Sequence, residues 1–479
     1  MGKKSSPIWL ADSSKFALLT MLIVSAFLFG GSARYDVASL IVIRPISILA
    51  AAYAIYAGQI DRQEKYNIPM ALIVLLFGYV AIQLIPLPPS IWQELPGRGV
   101  IAKIENAAGI AGTWRPMTMS PSRTLNTFFS LFVPFSVLLM MMEIKKKYLD
   151  RIAVIIIGLV SVGLILSIGQ LLGPANGPLY FYKITNHGLP VGWFANRNHN
   201  AILLASVLPL FAWFVIFNER MRLEKIVKAV VVIFATILLV LTILMTGSRA
   251  GSVLVVLPVT IIALVSAGFL KNKAVNKSSG KWQFVNFLSR HSVGLTVAAL
   301  LLVIIGIMNL SESEAILRFA NNDQDAELRL KTLPYLKEMA IYYLPFGSGF
   351  GTFELVYKIV EPDLFLSPNY LNQAHNDPLQ FVIEGGVVAL LVLAVFLGWL
   401  LNSLRVAVPL LWRGMQGRHC PVSVWQHGSS LLAICIVMLG SVADYPARTP
   451  LIMAYLAVLS GLALRTRPQK EVVRAVSCD

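Results

Sequence analysis

The chain has 479 residues, of which 57% are hydrophobic and 13% charged, with a mean hydropathy of +0.71. That composition excludes an ordinary soluble globular fold. The formal charge of +16 is scattered over many short segments rather than gathered on one face, which sets aside a nucleic-acid binder.

The N-terminus carries Lys3 and Lys4 and runs, after Lys15, into an apolar stretch with no small-residue cleavage site, so a retained first helix is expected there. Runs long enough to cross a bilayer, about 20 residues each, recur about twelve times. They lie near 16–32, 38–57, 68–86, 126–143, 152–173, 199–217, 228–246, 251–270, 293–310, 381–402, 428–443 and 450–464. Most are apolar all round, which suits lipid contact. The expected fold class is an all-α polytopic membrane protein with about 12 transmembrane helices. Residues 1–310 would hold helices 1–9, with outer loops near 87–125 and 174–198. Residues 311–380 would form a large, partly helical loop between helices 9 and 10, and 381–479 the last three helices and a tail. Cys420, Cys435 and Cys478 lie late in the chain and form neither a disulfide framework nor a CxxC zinc pattern.

Lysines and arginines set the orientation. Lys145, Lys146, Lys147 and Arg151, the group from Arg220 to Lys228, and Arg405, Arg413 and Arg418 all fall on the side of Lys3 and Lys4 when the spans alternate. By the positive-inside rule that side, with both termini, is cytoplasmic.

The outer side then receives the polar features. The loop near 87–125 contains Pro88, Pro89 and Pro96, which forbid a long helix, and Trp92 and Trp114, which suit the headgroup zone. The next loop ends in Asn196-Arg-Asn-His-Asn200, and Thr246-Gly-Ser-Arg-Ala-Gly251 is a tight hairpin. In the long loop a helix is expected over about 325–343, strained at Pro334, followed by a glycine-rich turn, Pro345-Phe-Gly-Ser-Gly-Phe-Gly351, and an amphipathic segment near 353–360. It closes on His375-Asn376-Asp377 at the mouth of a membrane helix, where polar side chains are read by default as a site. A last short outer loop is Asp444-Tyr-Pro-Ala-Arg-Thr-Pro450.

For a sugar carried on a polyprenyl diphosphate, displacement at the anomeric carbon throws negative charge onto the leaving diphosphate. Fixed guanidinium groups meet that need through bidentate bonds, and a neutral imidazole suits the attacking hydroxyl as base. The outer face offers Arg197, Arg249 and Arg329 for the first role, and His375 or His199 for the second. Each has a plainer reading. Arg249 can snorkel at a helix end, and Arg197 and His199 can cap a helix. Arg329 can sit on a solvated face beside Lys331, and His375, Asn376 and Asp377 can form a capping cluster ahead of Pro378. Asp323-Gln-Asp325 is formally a DxD pair but reads better as helix capping, the histidines show no metal-ligand spacing, and Gly347–Gly351 lacks a P-loop lysine. Arg44, inside the second run, is a buried charge in need of a partner, with Asp36 and Glu384 among the candidates.

The set Gln83-Leu-Ile-Pro-Leu-Pro-Pro89 with Leu95-Pro-Gly-Arg98, Asn196-Arg-Asn-His199, Thr246–Gly251, Arg329, Pro345–Gly351 and His375-Asn376 resembles the O-antigen ligase and polymerase family, in the family's order. The resemblance implies a GT-C-type, metal-independent, inverting glycosyltransferase of the bacterial inner membrane, with no cofactor. It would move a glycan from undecaprenyl diphosphate to a hydroxyl acceptor, a glycan or lipid A–core, on the periplasmic side. Carried over by motif, Arg197, Arg249 and Arg329 bind the diphosphate, His375 and Arg329 are catalytic, and Asn196, His199 and Asn376 lie towards the acceptor. The chain departs from the family at Asp377-Pro378, where an aromatic or aliphatic residue is common. The resemblance leaves ligase, polymerase and protein O-oligosaccharyltransferase open. A polysaccharide flippase or other transporter is the alternative from a different class, although no internal repeat supports it.

Overall fold

A computed structural model describes residues 12–57, 67–271, 323–366, 370–416, 418 and 420–468, with the backbone alone for 225–226, 267–271 and 323–330. The described chain is helical apart from a two-residue antiparallel pair, β1 (Pro86–Leu87) and β2 (Arg115–Pro116). In chain order the α-helices longer than the single turn Pro89–Trp92 are α1 (Asp12–Phe29), α2 (Leu40–Ala57), α3 (Ile68–Gln83), α4 (Gly99–Ala107), α5 (Pro121–Ser130), α6 (Phe132–Glu143), α7 (Leu149–Leu172) and α8 (Arg197–Phe217). There follow α9 (Lys225–Met245), α10 (Arg249–Leu254), α11 (Val256–Lys271), α12 (Asp323–Tyr342), α13 (Phe353–Val360), α14 (Asp377–Met415), α15 (Val422–Ala443) and α16 (Pro450–Arg465).

Among the described residues eight helical segments are long and apolar enough to cross a membrane, and α2, α3 and α16 are shorter apolar helices. The protein is therefore an all-helical, multi-span membrane protein. Each apolar run of the sequence coincides with one of these helices except 293–310, which lies outside the described residues, as do 311–322 of the long loop. The helix expected over 325–343 is α12, with Pro334 inside it, and the amphipathic segment is α13.

The contacts divide the chain into two compact units. The first comprises Met1–Glu143, Asp323–Trp399 and Ser441–Ala457. In it α2 packs along α6, α1 lies against both, and α3 rests on α5 and α6. Lys15 of α1 bonds the buried Glu143 at the end of α6, 3.2 Å away, which satisfies a charge no lipid could.

The centre of this unit is the glycine-rich turn. Gly386 has φ 57° and ψ −141°, a backbone state that breaks α14 near its start. Such a break is tolerable at membrane depth only when the freed polar groups find partners, and here they do. The carbonyls of Ile383 and Glu384 accept from Ser348 N–H (2.9 Å) and Gly349 N–H (3.0 Å), and Val387 N–H donates to Pro345 O (2.9 Å). Gln83, fully buried, donates to the Glu384 carbonyl and accepts from Phe350 N–H. Arg98, 2% exposed, donates to the carbonyls of Pro96, Met117 and Gly347. Burial pushes the Arg98 guanidinium down to about 10. The glycine-rich turn is thus tied down by α14, Gln83 and Arg98.

The second unit comprises Ile144–Asn322, Leu400–Gly440 and Val458–Asp479. Its core is α8, 83% buried over its apolar window, which packs against α7, α9, α10 and α11.

Candidate active site

In the first unit His375 precedes α14. It is the only described non-glycine residue with positive φ (49°), and strained backbone of this kind collects at functional positions. Its neighbours explain how it is held. Asn376 caps α14, its Oδ1 accepting Leu379 N–H at 2.9 Å. Gln380 reaches back to accept Ala374 N–H at 2.8 Å. The imidazole Nδ1 lies 2.9 Å from Oδ1 of Asp444, and the ring meets the Tyr445 ring edge-on at 4.8 Å. The His375 side chain is 15% exposed, whereas that of Asp444 is fully buried. An ionised carboxylate only accepts, so Nδ1 carries the proton and Nε2 the basic lone pair.

Behind this pair stands a second ionic group. Arg448 lies 2.9 Å from the buried Glu384 and 3.2 Å from Asp377. Glu384 Oε1 also accepts from Phe353 N–H and Gln380 Nε2, and Asp377 accepts Ala447 N–H at 3.0 Å. The segment 444–449 is thereby fastened to the start of α14, which fixes Asp444 against His375. Asp377, expected as a structural helix-start residue, does sit in the first turn of α14 and acts as partner to Arg448.

Arg448 also lines an open cleft of the same unit, together with Arg34, Arg44, Arg123, Gln373 and Gln380. Arg34 forks onto Asp36 through two bonds of 3.1 Å. That bond holds the Arg34 guanidinium above its usual value and the Asp36 carboxyl below its own. Arg123 bonds Glu354 at 3.2 Å and lies 3.0 Å over the Tyr35 ring. Arg44 meets neither Asp36 nor Glu384; its Nη2 donates to Ser130 Oγ at 2.9 Å.

The second unit holds Asn196, Arg197, His199 and Arg249. Asn196 caps α8, accepting Asn198 N–H at 2.8 Å, and its amide lies 3.4 Å from Nε2 of the buried His199. Arg197 is the first residue of α8, and its backbone N–H donates to Asn186 Oδ1 at 3.0 Å. The loop before it is knitted down by Gln170, which accepts from Val191 and Gly192 N–H and donates to the carbonyls of Leu179 and Gly192. Arg249 is exposed and begins α10, capped by Ser248. Ala201 of α8 lies so close to Gly251 of α10 that a side chain on Gly251 would collide with it, so the first turns of the two arginine-bearing helices adjoin. Arg329 is on α12 of the first unit, but its side chain lies outside the described residues.

Sequence reasoning did not single out Asp444, Arg448, Arg34 or Arg123. The signal for Asp444 was the same one that found His375: a polar group at the mouth of an apolar run. Trp92 is 1% exposed and donates to Thr113 O at 3.0 Å within its own loop, while Trp114 is 62% exposed.

Among the described residues no group of three or more His, Cys, Asp or Glu side chains could hold a metal ion. No curated protein matches the chain. Residues 234–394 match the family model described as O-antigen ligase, a stretch that takes in Arg249, Arg329, the glycine-rich turn, His375 and Asn376. Over that segment the chain is similar to the O-antigen ligase family, in agreement with the resemblance its motifs carry.

Proposed function

We propose that the protein is an inverting, metal-independent glycosyltransferase that moves a glycan from undecaprenyl diphosphate to a hydroxyl acceptor at the periplasmic face of the bacterial inner membrane, with both termini cytoplasmic. The observation that carries this reading is the His375–Asp444 pair at 2.9 Å, built on a strained backbone at the mouth of a membrane helix. In the reaction, Nε2 of His375 takes the proton of the acceptor hydroxyl as its oxygen bonds to the anomeric carbon. The bond from that carbon to the phosphate oxygen breaks on the opposite face, and the diphosphate leaves with the electron pair. Asp444 keeps the ring in the required tautomer and stabilises the imidazolium that forms.

Arg197, Arg249 and Arg329 are assigned to the developing negative charge of the diphosphate, as the family motifs suggest. His199 and Asn196, bonded to each other at the start of α8, and Asn376 are assigned to the acceptor side. The acceptor is a glycan or lipid A–core, so the enzyme is a ligase or a polysaccharide polymerase. Purified protein supplied with a lipid-linked glycan and an acceptor should release undecaprenyl diphosphate; a flippase or other transporter would return the donor intact. In a deletion strain, long glycan left on undecaprenyl diphosphate would identify a ligase, and single unpolymerised repeats a polymerase.

A further inference from the structure

Five cations stand in or around the arginine-lined cleft of the first unit, and four carboxylates face them. Arg34 takes Asp36, Arg123 and Lys358 share Glu354, and Arg448 takes Glu384 and Asp377. The fifth, Arg44, pairs with no carboxylate among the described residues. Its Nη2 bonds a neutral hydroxyl, and its Nε is enclosed without an acceptor. A half-buried guanidinium without a counter-charge is unfavourable unless an anion joins it, so among the described residues this cleft is short of one negative charge.

The rest of the wall says what kind of anion fits. Asn126, Asn372 and Gln373 offer amides to hydroxyl groups, and Tyr35, exposed and covered on one face by Arg123, offers its ring to a sugar. The cleft also adjoins the proposed base. Gln373 stands two residues before His375, and Gln380 holds the N–H of the residue next to it.

We propose that this cleft binds an acidic sugar unit of the saccharide substrate, a carboxylate or phosphate ester, with Arg44 as the cation that receives it. The inference rests on the glycosyltransferase reading and adds to it a substrate class: glycans carrying a negative charge close to the reacting sugar. Arg44 is the selective element because each of the other arginines of the cleft already has a carboxylate partner. Ser130 fixes its orientation, leaving further N–H donors for a forked bond to two anionic oxygens.

The test is a binding titration of the full chain in phosphatidylcholine nanodiscs, with a tetrasaccharide of galacturonic acid and its carboxyl-reduced, neutral counterpart as probes. Wild type should bind the acidic probe at least about tenfold more tightly, as expected for one charge-assisted pair. Arg44→Gln should abolish that preference without changing affinity for the neutral probe, and Arg44→Lys should keep part of it. Ser130→Ala, which leaves the charge in place, should weaken the preference several-fold and keeps the test open if Arg44→Gln fails to fold. Equal binding of the two probes by wild type, or an undiminished preference in Arg44→Gln, overturns the proposal. Loss of the preference when phosphatidylglycerol replaces phosphatidylcholine also overturns it, because the anion received would then be a lipid headgroup. The titration needs no turnover, so its failure is distinct from a failure to release undecaprenyl diphosphate.

Discussion

Nδ1 of His375 and Oδ1 of Asp444 lie 2.9 Å apart although 69 positions separate them in the chain. The two loops that carry them flank α14 and α15, and Arg448, bonded to Glu384 and Asp377, holds the loops together. Aligning the imidazole is therefore a property of the fold rather than of either motif alone.

Asp444→Asn should leave the shape of the pair but let an amide donate to Nδ1, which forces the proton to Nε2 and removes the base. Transfer should fall by about 100-fold or more, in keeping with the usual contribution of general base catalysis. Initial rates of diphosphate release, together with an unchanged melting temperature, check this.

Glu384→Ala would strand Arg448, Gln380 and the Phe353 N–H at once. Breaking a buried pair from one side destabilises by about 3–5 kcal/mol, so the variant should melt well below wild type in detergent. Glu384→Gln keeps a side-chain oxygen as acceptor and should lose markedly less.

Gly386→Ala should be poorly tolerated, because φ is 57° there and an added Cβ would meet the Pro345 carbonyl. The backbone strain alone is about 1–3 kcal/mol, and the collision adds to it. Gly398→Ala, on the same helix with nothing within 4 Å, should be neutral or slightly stabilising. Melting curves of the two variants side by side separate the break in α14 from helix propensity.

The spans and the main loop elements were legible in the sequence because apolar runs of bilayer length are strong local signals, as for Arg197–Phe217 and Val422–Ala443. His375 was legible for the same reason in reverse, as a polar cluster where lipid begins. The pairing of His375 with Asp444 was not, since contacts between loops far apart in the chain leave no mark on local spacing. Arg44 was recognisable as a charge in need of a partner, but nothing in the sequence favoured the hydroxyl of Ser130, 86 positions away, over carboxylates such as Asp36 and Glu384. The glycine-rich turn shows the same limit. Its residues mark only a turn, whereas the fold packs Gly347 against the broken helix at Glu384, Gly349 against Thr118 and Gly351 against Arg123 and Thr127.

Arg249→Ala and Arg329→Ala should each abolish transfer while leaving expression and membrane insertion intact, because the proposed mechanism assigns each to the charge of the leaving diphosphate. Near-normal activity in both would remove the diphosphate role. EDTA should not inhibit; inhibition reversed by Mg²⁺ would bring Asp323 and Asp325 back as ligands.

The most direct measurement is the turnover of His375→Gln at saturating lipid-linked donor, taken alongside its donor affinity. A base oriented by Asp444 requires turnover to fall by at least about 100-fold with donor affinity unchanged. Wild-type turnover, or a loss confined to donor affinity, would contradict the account.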